Sequence, residues 1–268
     1  MLNNLKDISI LLRKKILDSI YKSGKGHIGG AYSCIDILTA LYFGDVANFD
    51  QSDSNRDRFI MSKGHAAIAQ YAVLNRLGLV TDDDLMNMNN GGILGEHPDI
   101  NIPGIEFNTG SLGHGLGVGV GFALSDESKK NRTFVLLGDG ECYEGTIWEA
   151  ANLASHLKLH NLIAIVDRNK LCINGNTEDI NRLEPFADKW KAFGWNVIEV
   201  DGHDHNDLIS AIYDSSQADF HSPQFAPTVI IADTVKGKGV SFMENDHKWH
   251  HGGINTDLYN QAMGELNG

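Results

Sequence analysis

The strongest constraint on this chain's shape is a set of four short runs, "TFVLL" (133–137), "NLIAIV" (161–166), "WNVIEV" (195–200) and "PTVIIADTV" (227–235), each apolar and rich in β-branched residues. Such runs fit parallel strands covered on both faces. Between the first two lies "GTIWEAANLASHLKL", in which Ile147, Ala151 and Ala154 recur at helical spacing. Strand, helix and strand in that order require a crossover. The expected fold class is therefore α/β: a parallel sheet sandwiched by helices, with ligands taken at the carboxyl ends of its strands. No repeat, linker or low-complexity tract divides the 268 residues, so 1–268 reads as a single domain.

Three helices are expected ahead of these strands. Leu5, Ile8, Leu12, Ile16 and Ile20 fall on one face of residues 5 to 22, leaving Arg13, Lys14 and Lys22 to water. Ser33 is placed to cap a second helix through "CIDILTALYF", and "GHAAIAQYAVLNRLG" reads as a third closed by Gly78. The glycines of "GHGLGVGVGFAL" suit close helix packing better than a membrane dimer face, because the segment is too short to span.

Charge narrows the partners. A formal net charge of -13 disfavours nucleic acid and anionic membranes alike, since both demand basic patches. No apolar run approaches the roughly 18 residues of a membrane span, and no signal-peptide core is visible, so a cytoplasmic location is expected. The three cysteines are far apart and suggest neither a disulfide framework nor a metal site. An anionic ligand here must bring a cation with it.

One stretch, "RTFVLLGDGECYEG", leads a strand into glycine and sets Asp139, Glu141 and Glu144 within six positions. "GDG" falls at the strand's carboxyl end, where glycine lets backbone approach an anion. Asn169 lies 30 positions later, at the end of the next strand in "VDRNKLCING". In a right-handed crossover those ends are neighbours, so a carboxylate and an amide oxygen converge. With a loop carbonyl and diphosphate oxygens they suit octahedral Mg²⁺, or another divalent cation such as Ca²⁺ or Mn²⁺. "GKGHIGG" and "VKGKGV" lack the spacing of a Walker loop, which argues against nucleoside triphosphates. His203 and His205 in "DGHDH" read as part of a polar loop.

At these residues the chain resembles the transketolase family, specifically its N-terminal, thiamine diphosphate-binding part. The resemblance rests on an ordered set: "SGKGHIGGAYS", "RDRFIMSKGHAA", "GEHPD", "TGSLGHGLGVGVG", "GDGECYEGTIWEAA" and "KGKGVSFMENDHKWHHG", which together cover essentially the whole chain. It implies a thiamine diphosphate-binding fold and the transfer of a two-carbon ketol unit from a ketose, or its phosphate, to an aldose. Carried over position by position, it gives the metal to Asp139, Asn169 and the carbonyl of Leu171. Gly140, Asn169 and His65 would meet the diphosphate; Gly110, Ser111 and Leu112 would lie near the pyrimidine; Glu144 and His250 join the cofactor-binding set. His27, His65, His97 and His250 are the catalytic candidates. Neutral imidazoles can both give and take protons near neutral pH, which a sugar's hydroxyl and carbonyl oxygens require. Glu144, also a catalytic candidate, and Glu149 match acids that link two active sites through a partner chain. Glu141 reads as solvated. His114 stands where typical transketolases have Gln, and "SL" replaces their "PL".

The resemblance also implies a partner. Only 18 residues follow His250, with no second α/β module to supply the glutamate that activates the cofactor's aminopyrimidine. A separate C-terminal subunit is expected to complete the enzyme as an α2β2 heterotetramer, with this chain inactive alone. The donor stays open among pentose phosphates, a sulfosugar and a branched sugar. Two other readings stand beside this one: the α-subunit of a 2-oxoacid dehydrogenase, which the histidine segments at 23–30 and 248–252 disfavour, and a non-catalytic assembly homologue, which intact Asp139, Glu144 and Asn169 disfavour.

Overall fold

The computed structural model describes residues 4–126, 130–216 and 225–268. Its strands are β1 (Arg58–Met61), β2 (Thr133–Gly138), β3 (Leu162–Arg168), a short hairpin of β4 (Leu171–Cys172) and β5 (Gly175–Asn176), then β6 (Asn196–Asp201) and β7 (Thr228–Asp233). Five of them form one sheet in the order β1-β2-β3-β7-β6, with every neighbouring pair parallel. The expected α/β sandwich is therefore present. The four apolar runs supply four of those strands; β1, only four residues long, lies inside a segment read for its histidine.

Alternation along the strands builds two cores. Phe59, Phe134, Leu136, Ile163, Ile165 and Ile230 face one side, against α1 (Leu5–Ser23), α2 (Ile28–Phe43) and α3 (Ala67–Arg76). Two later helices, α9 (His205–Ser216) and α10 (Thr256–Asn267), also pack on that side through Leu208, Ile212, Ala262 and Leu266. Between these come α4 (Asp82–Met86), α5 (His114–Ser125), α6 (Gly145–His156), α7 (Thr177–Ile180) and α8 (Phe186–Ala192). Ile60, Val135, Leu137, Ala164, Val166 and Val229 face the opposite side, against α5, α6 and α8. β2 and β3 are buried throughout. β6 is not, because it is an edge strand whose Asn196, Glu199 and Asp201 are exposed.

Two local expectations are corrected. Arg13 does not face water: its side chain is 6% exposed, and its guanidinium meets both oxygens of Asp36, at 3.1 and 2.7 Å. Ser33 does not cap α2, which begins five residues earlier at Ile28. Gly29, in the first turn of α2, makes a close contact, since a Cβ there would lie 2.7 Å from the carbonyl oxygen of Trp249. Other helical features match. α1 runs as expected, and Gly78 takes a left-handed φ of 78° just past the end of α3. α5 packs tightly on the sheet, where a Cβ on Gly115 would stand 2.3 Å from Ser62 Oγ.

Because all five strands run the same way, the loops after β1, β2, β3, β6 and β7 meet along one edge. No helix among the described residues is long and apolar enough to cross a membrane.

Candidate active site

β2 and β3 pair with Gly138 opposite Asp167, so Asp139 and Asn169 leave the sheet side by side. Asp139 is 2% exposed, and its Oδ2 accepts from the Lys170 backbone N–H at 2.6 Å and from Arg168 at 3.1 Å. Its Oδ1 accepts from the Gly140 N–H at 2.7 Å. The Asn169 amide nitrogen points inward, donating to Asp167 Oδ2 at 3.2 Å and Ser33 Oγ at 3.3 Å. That leaves the amide oxygen on the loop side, 3.1 Å from the Leu171 nitrogen. Lys170 takes a left-handed φ of 65°, which folds the loop back over Asp139. One carboxylate, one amide oxygen and one backbone carbonyl thus come from two adjoining strand tips. Burial, then the charge of Asp167, pushes the Asp139 carboxyl above its ordinary range. A divalent cation would relieve that cost, and this oxygen set fits a hard cation.

Beside these oxygens stand two lysines, each 1% exposed, that sequence reasoning did not single out. Lys63 follows β1 and donates to Asp167 and to the Gly30 carbonyl, the latter at 3.0 Å. Asp167 is wholly buried and also accepts from Ser33 Oγ at 2.6 Å and from Thr234 Oγ1. Burial alone would lower the Lys63 ammonium; the Asp167 carboxylate outweighs it and raises the group. Lys236, in the loop after β7, donates to the Leu171 carbonyl at 3.1 Å and to His250 Nδ1 at 2.9 Å. Burial, then the neighbouring Lys63, lowers its ammonium to about 8. Two buried ammonium groups beside the amino end of α2 suit a diphosphate. The sequence signal is present in "SKGH" and "VKGKG", but its meaning depends on those two loops meeting in space.

The four candidate histidines come together. His27 precedes α2, His65 lies in the turn after β1, and His250 lies in the turn His247–His250. Ring centroids are 5.4 Å apart for His27 and His65, 5.4 Å for His27 and His250, and 5.2 Å for His65 and His250. His97 stands farther out, 6.3 Å from His27. Burial, then His251, lowers His27 to about 4; burial, then Lys236, lowers His250 to about 3. Burial, then Lys63, holds His65 well below its ordinary value. All three imidazoles are neutral at pH 7. His251 joins the rim: its ring is 4.4 Å from that of His27, and its Nε2 lies 3.3 Å from Glu96 Oε2.

Gly110, Ser111 and Leu112 form the turn before α5. Gly110 has a φ of 144°, and a Cβ there would lie 2.9 Å from the His97 ring. Glu141 is the carboxylate that holds this turn, and it is not solvated. It is 2% exposed, and it accepts from Ser62 Oγ at 2.5 Å, the Gly113 N–H at 2.9 Å and the Gly138 N–H at 3.1 Å. Three-residue spacing hides this role, because two of its partners are distant in sequence. Glu144 and Glu149 are exposed at the start of α6, outside the histidine cluster. His203 and His205 are half-buried rather than solvated: His203 bonds Asp36 at 2.7 Å, and His205 lies 3.0 Å from Ser9 Oγ.

This is an α/β module with oxygen donors at two parallel strand tips, buried lysines beside them and a histidine cluster close by, a site that suits a diphosphate. Residues 6–265 match the family model described as the transketolase thiamine diphosphate binding domain. A subunit of an apulose-4-phosphate transketolase from Phocaeicola vulgatus is 44% identical over 259 residues, covering 95% of this chain and 90% of that protein. A 6-deoxy-6-sulfo-D-fructose transketolase subunit from Clostridium is 40% identical, covering 96% and 94%. The crystal structure of transketolase from Campylobacter jejuni superposes with a TM-score of 0.90 at 29% identity, covering 98% of this chain but 42% of that one. The chain belongs to the transketolase family, as an N-terminal, thiamine diphosphate-binding subunit of the split kind. The 2-oxoacid dehydrogenase alternative is not favoured.

Proposed function

We propose that this chain binds the diphosphate of thiamine diphosphate through a divalent cation, Mg²⁺ first, held by Asp139, Asn169 and the Leu171 carbonyl. The observation that supports this best is that Asp139 and Asn169 stand at adjoining strand tips, with buried Lys63 and Lys236 beside them on the same sheet edge. Lys63, Lys236, His65, Asn169 and the Gly140 N–H would meet the phosphates. Gly110, Ser111 and Leu112 would border the pyrimidine, and Glu144 with Glu149 would face a partner chain. The bound cofactor supplies an electron sink for breaking a carbon–carbon bond beside a ketose carbonyl.

The protein's own work is positioning and proton traffic. His250 accepts at Nδ1 from Lys236, so its ring proton sits on Nε2. His27, His65 and His250, kept neutral by burial, can take a proton from a sugar hydroxyl or return one to a carbonyl oxygen. His97 would contact the sugar from the outer side. The partner is a C-terminal subunit completing the pyrimidine side, the assembly an α2β2 heterotetramer in the cytoplasm. Donor and acceptor are sugars or sugar phosphates; the relatives' names point to phosphorylated or sulfonated ketoses. Neither nucleic acid nor membrane is a partner in this reading.

The test is reconstitution. This chain mixed with its partner subunit, Mg²⁺ and thiamine diphosphate should transfer ketol units, and calorimetry should show uptake that requires the metal. Metal-independent uptake, or equal turnover by this chain alone, would sink the proposal.

A further inference from the structure

The proposed chemistry leaves His203 unused, yet its two ring nitrogens have distinct and demanding partners. Nε2 lies 2.8 Å from the backbone nitrogen of Val235, and because that N–H can only donate, Nε2 is the acceptor. The ring proton of a neutral imidazole must then sit on Nδ1, which faces Asp36 Oδ2 at 2.7 Å. Asp36 is locked in turn by the Arg13 guanidinium. Burial would raise the Asp36 carboxyl, but the His203 bond and Arg13 outweigh it and hold the group far below its ordinary range. Side chains from α1 and α2 therefore fix the direction of one lone pair at the end of β6. It points into the loop after β7.

Val235 stands between two residues of the candidate site. Before it, Thr234 Oγ1 donates to buried Asp167. After it, Lys236 reaches the Leu171 carbonyl at 3.1 Å and His250 at 2.9 Å. The Gly237 N–H then bonds the Gly29 carbonyl at 3.1 Å, beside the amino end of α2. Removing the acceptor would leave the Val235 N–H without its partner, and the loop would have to shift to find another.

We propose that His203 is a positioning residue: by accepting from Val235 it sets the backbone from which Lys236 reaches the diphosphate site, so cofactor affinity depends on a histidine that touches neither metal nor phosphate. This rests on the proposed site, and the experiment separates the two. His203→Gln offers an amide oxygen where Nε2 stood; His203→Asn reaches Asp36 but not Val235. Two readouts apply: hydrogen exchange at the Val235 amide in the full chain, and the Kd for thiamine diphosphate with Mg²⁺ in the assembled two-subunit enzyme. His203→Asn should exchange faster at Val235 and bind about tenfold more weakly, with kcat at saturating cofactor unchanged. His203→Gln should restore both to within about twofold of wild type. Wild-type Kd in His203→Asn, or Gln no better than Asn, would overturn the inference alone. Wild-type enzyme that takes up no thiamine diphosphate would overturn the site and the inference together.

Discussion

Asp139 and Asn169 stand at the tips of two hydrogen-bonded parallel strands, and the residue between Asn169 and Leu171 joins them, with the Lys170 N–H donating to Asp139 Oδ2 at 2.6 Å. The two loops are therefore held together by protein alone, before any cation contributes. A site preorganised in this way would lose little conformational entropy on taking up the proposed cation.

The charge of Asp139 should matter more than its shape. Asp139→Asn keeps the size but removes the anionic oxygen a hard cation prefers. Arg168 would keep Glu178 and Glu184 as partners, at 2.9 and 3.0 Å, so the fold should survive. The expected result is Mg²⁺-dependent uptake of thiamine diphosphate weakened by at least about tenfold, with a urea midpoint close to wild type. Calorimetric titration of the assembled enzyme checks it, and chelation of the wild type should release the cofactor.

Arg13 makes a separate prediction about stability. It and Asp36 are both 6% exposed in their side chains, so removing Arg13 leaves a buried carboxylate without its charged partner, held by the His203 hydrogen bond. Arg13→Met should cost about 3–5 kcal/mol in urea unfolding at pH 7. Arg13→Met combined with Asp36→Leu should recover part of that loss. A single variant within about 1 kcal/mol of wild type would contradict the buried-pair account.

What the sequence makes legible follows from how local each feature is. The existence of the strands, α1 and the adjacency of the loops carrying Asp139 and Asn169 depend on residues within one element or one crossover, and the structure shows them. Glu141 looks solvated in sequence because what decides its role, Ser62 and Gly113, lies 79 and 28 positions away. Arg13 looks solvated for the same reason, its partner Asp36 being on another helix. Lys63, Lys236 and Asp167 escape a sequence reading because a buried ammonium or carboxylate has no local signature; only the meeting of strand ends creates its environment. β6 misleads in another way. Its composition is that of a covered strand, but its place at the sheet edge is set by topology.

The histidine cluster should make the protein acid-sensitive. His27 has an ordinary value of 6.5 and a folded value of about 4, so between these the unfolded chain binds more protons. Its contribution is complete above 6.5 and falls away as pH drops toward 4. The shift corresponds to about 3 kcal/mol at most, less for a ring at the site's mouth. Urea midpoints should therefore fall between pH 6.5 and 4, and His27→Asn should flatten that slope. An unchanged slope in the variant would show that His27 titrates normally.

Glu141 gives the sharpest test of how the turn at 110–113 is built. Its carboxylate accepts from Ser62 and Gly113 on one oxygen and from Gly138 on the other, so all three donors need an acceptor. Glu141→Gln supplies one oxygen and one NH₂, and the NH₂ must face at least one N–H or O–H donor. Leaving a buried donor unpaired costs about 1–3 kcal/mol, and the variant should lose stability in that range. If the unmet donor is Gly113, its amide should exchange faster and the backbone of Gly110 to Leu112 should loosen. Cofactor affinity would then fall several-fold while Asp139 and Asn169 stay in place. Glu141→Gln with wild-type stability and unchanged exchange at both Gly113 and Gly138 would mean that water, rather than this carboxylate, satisfies those amides.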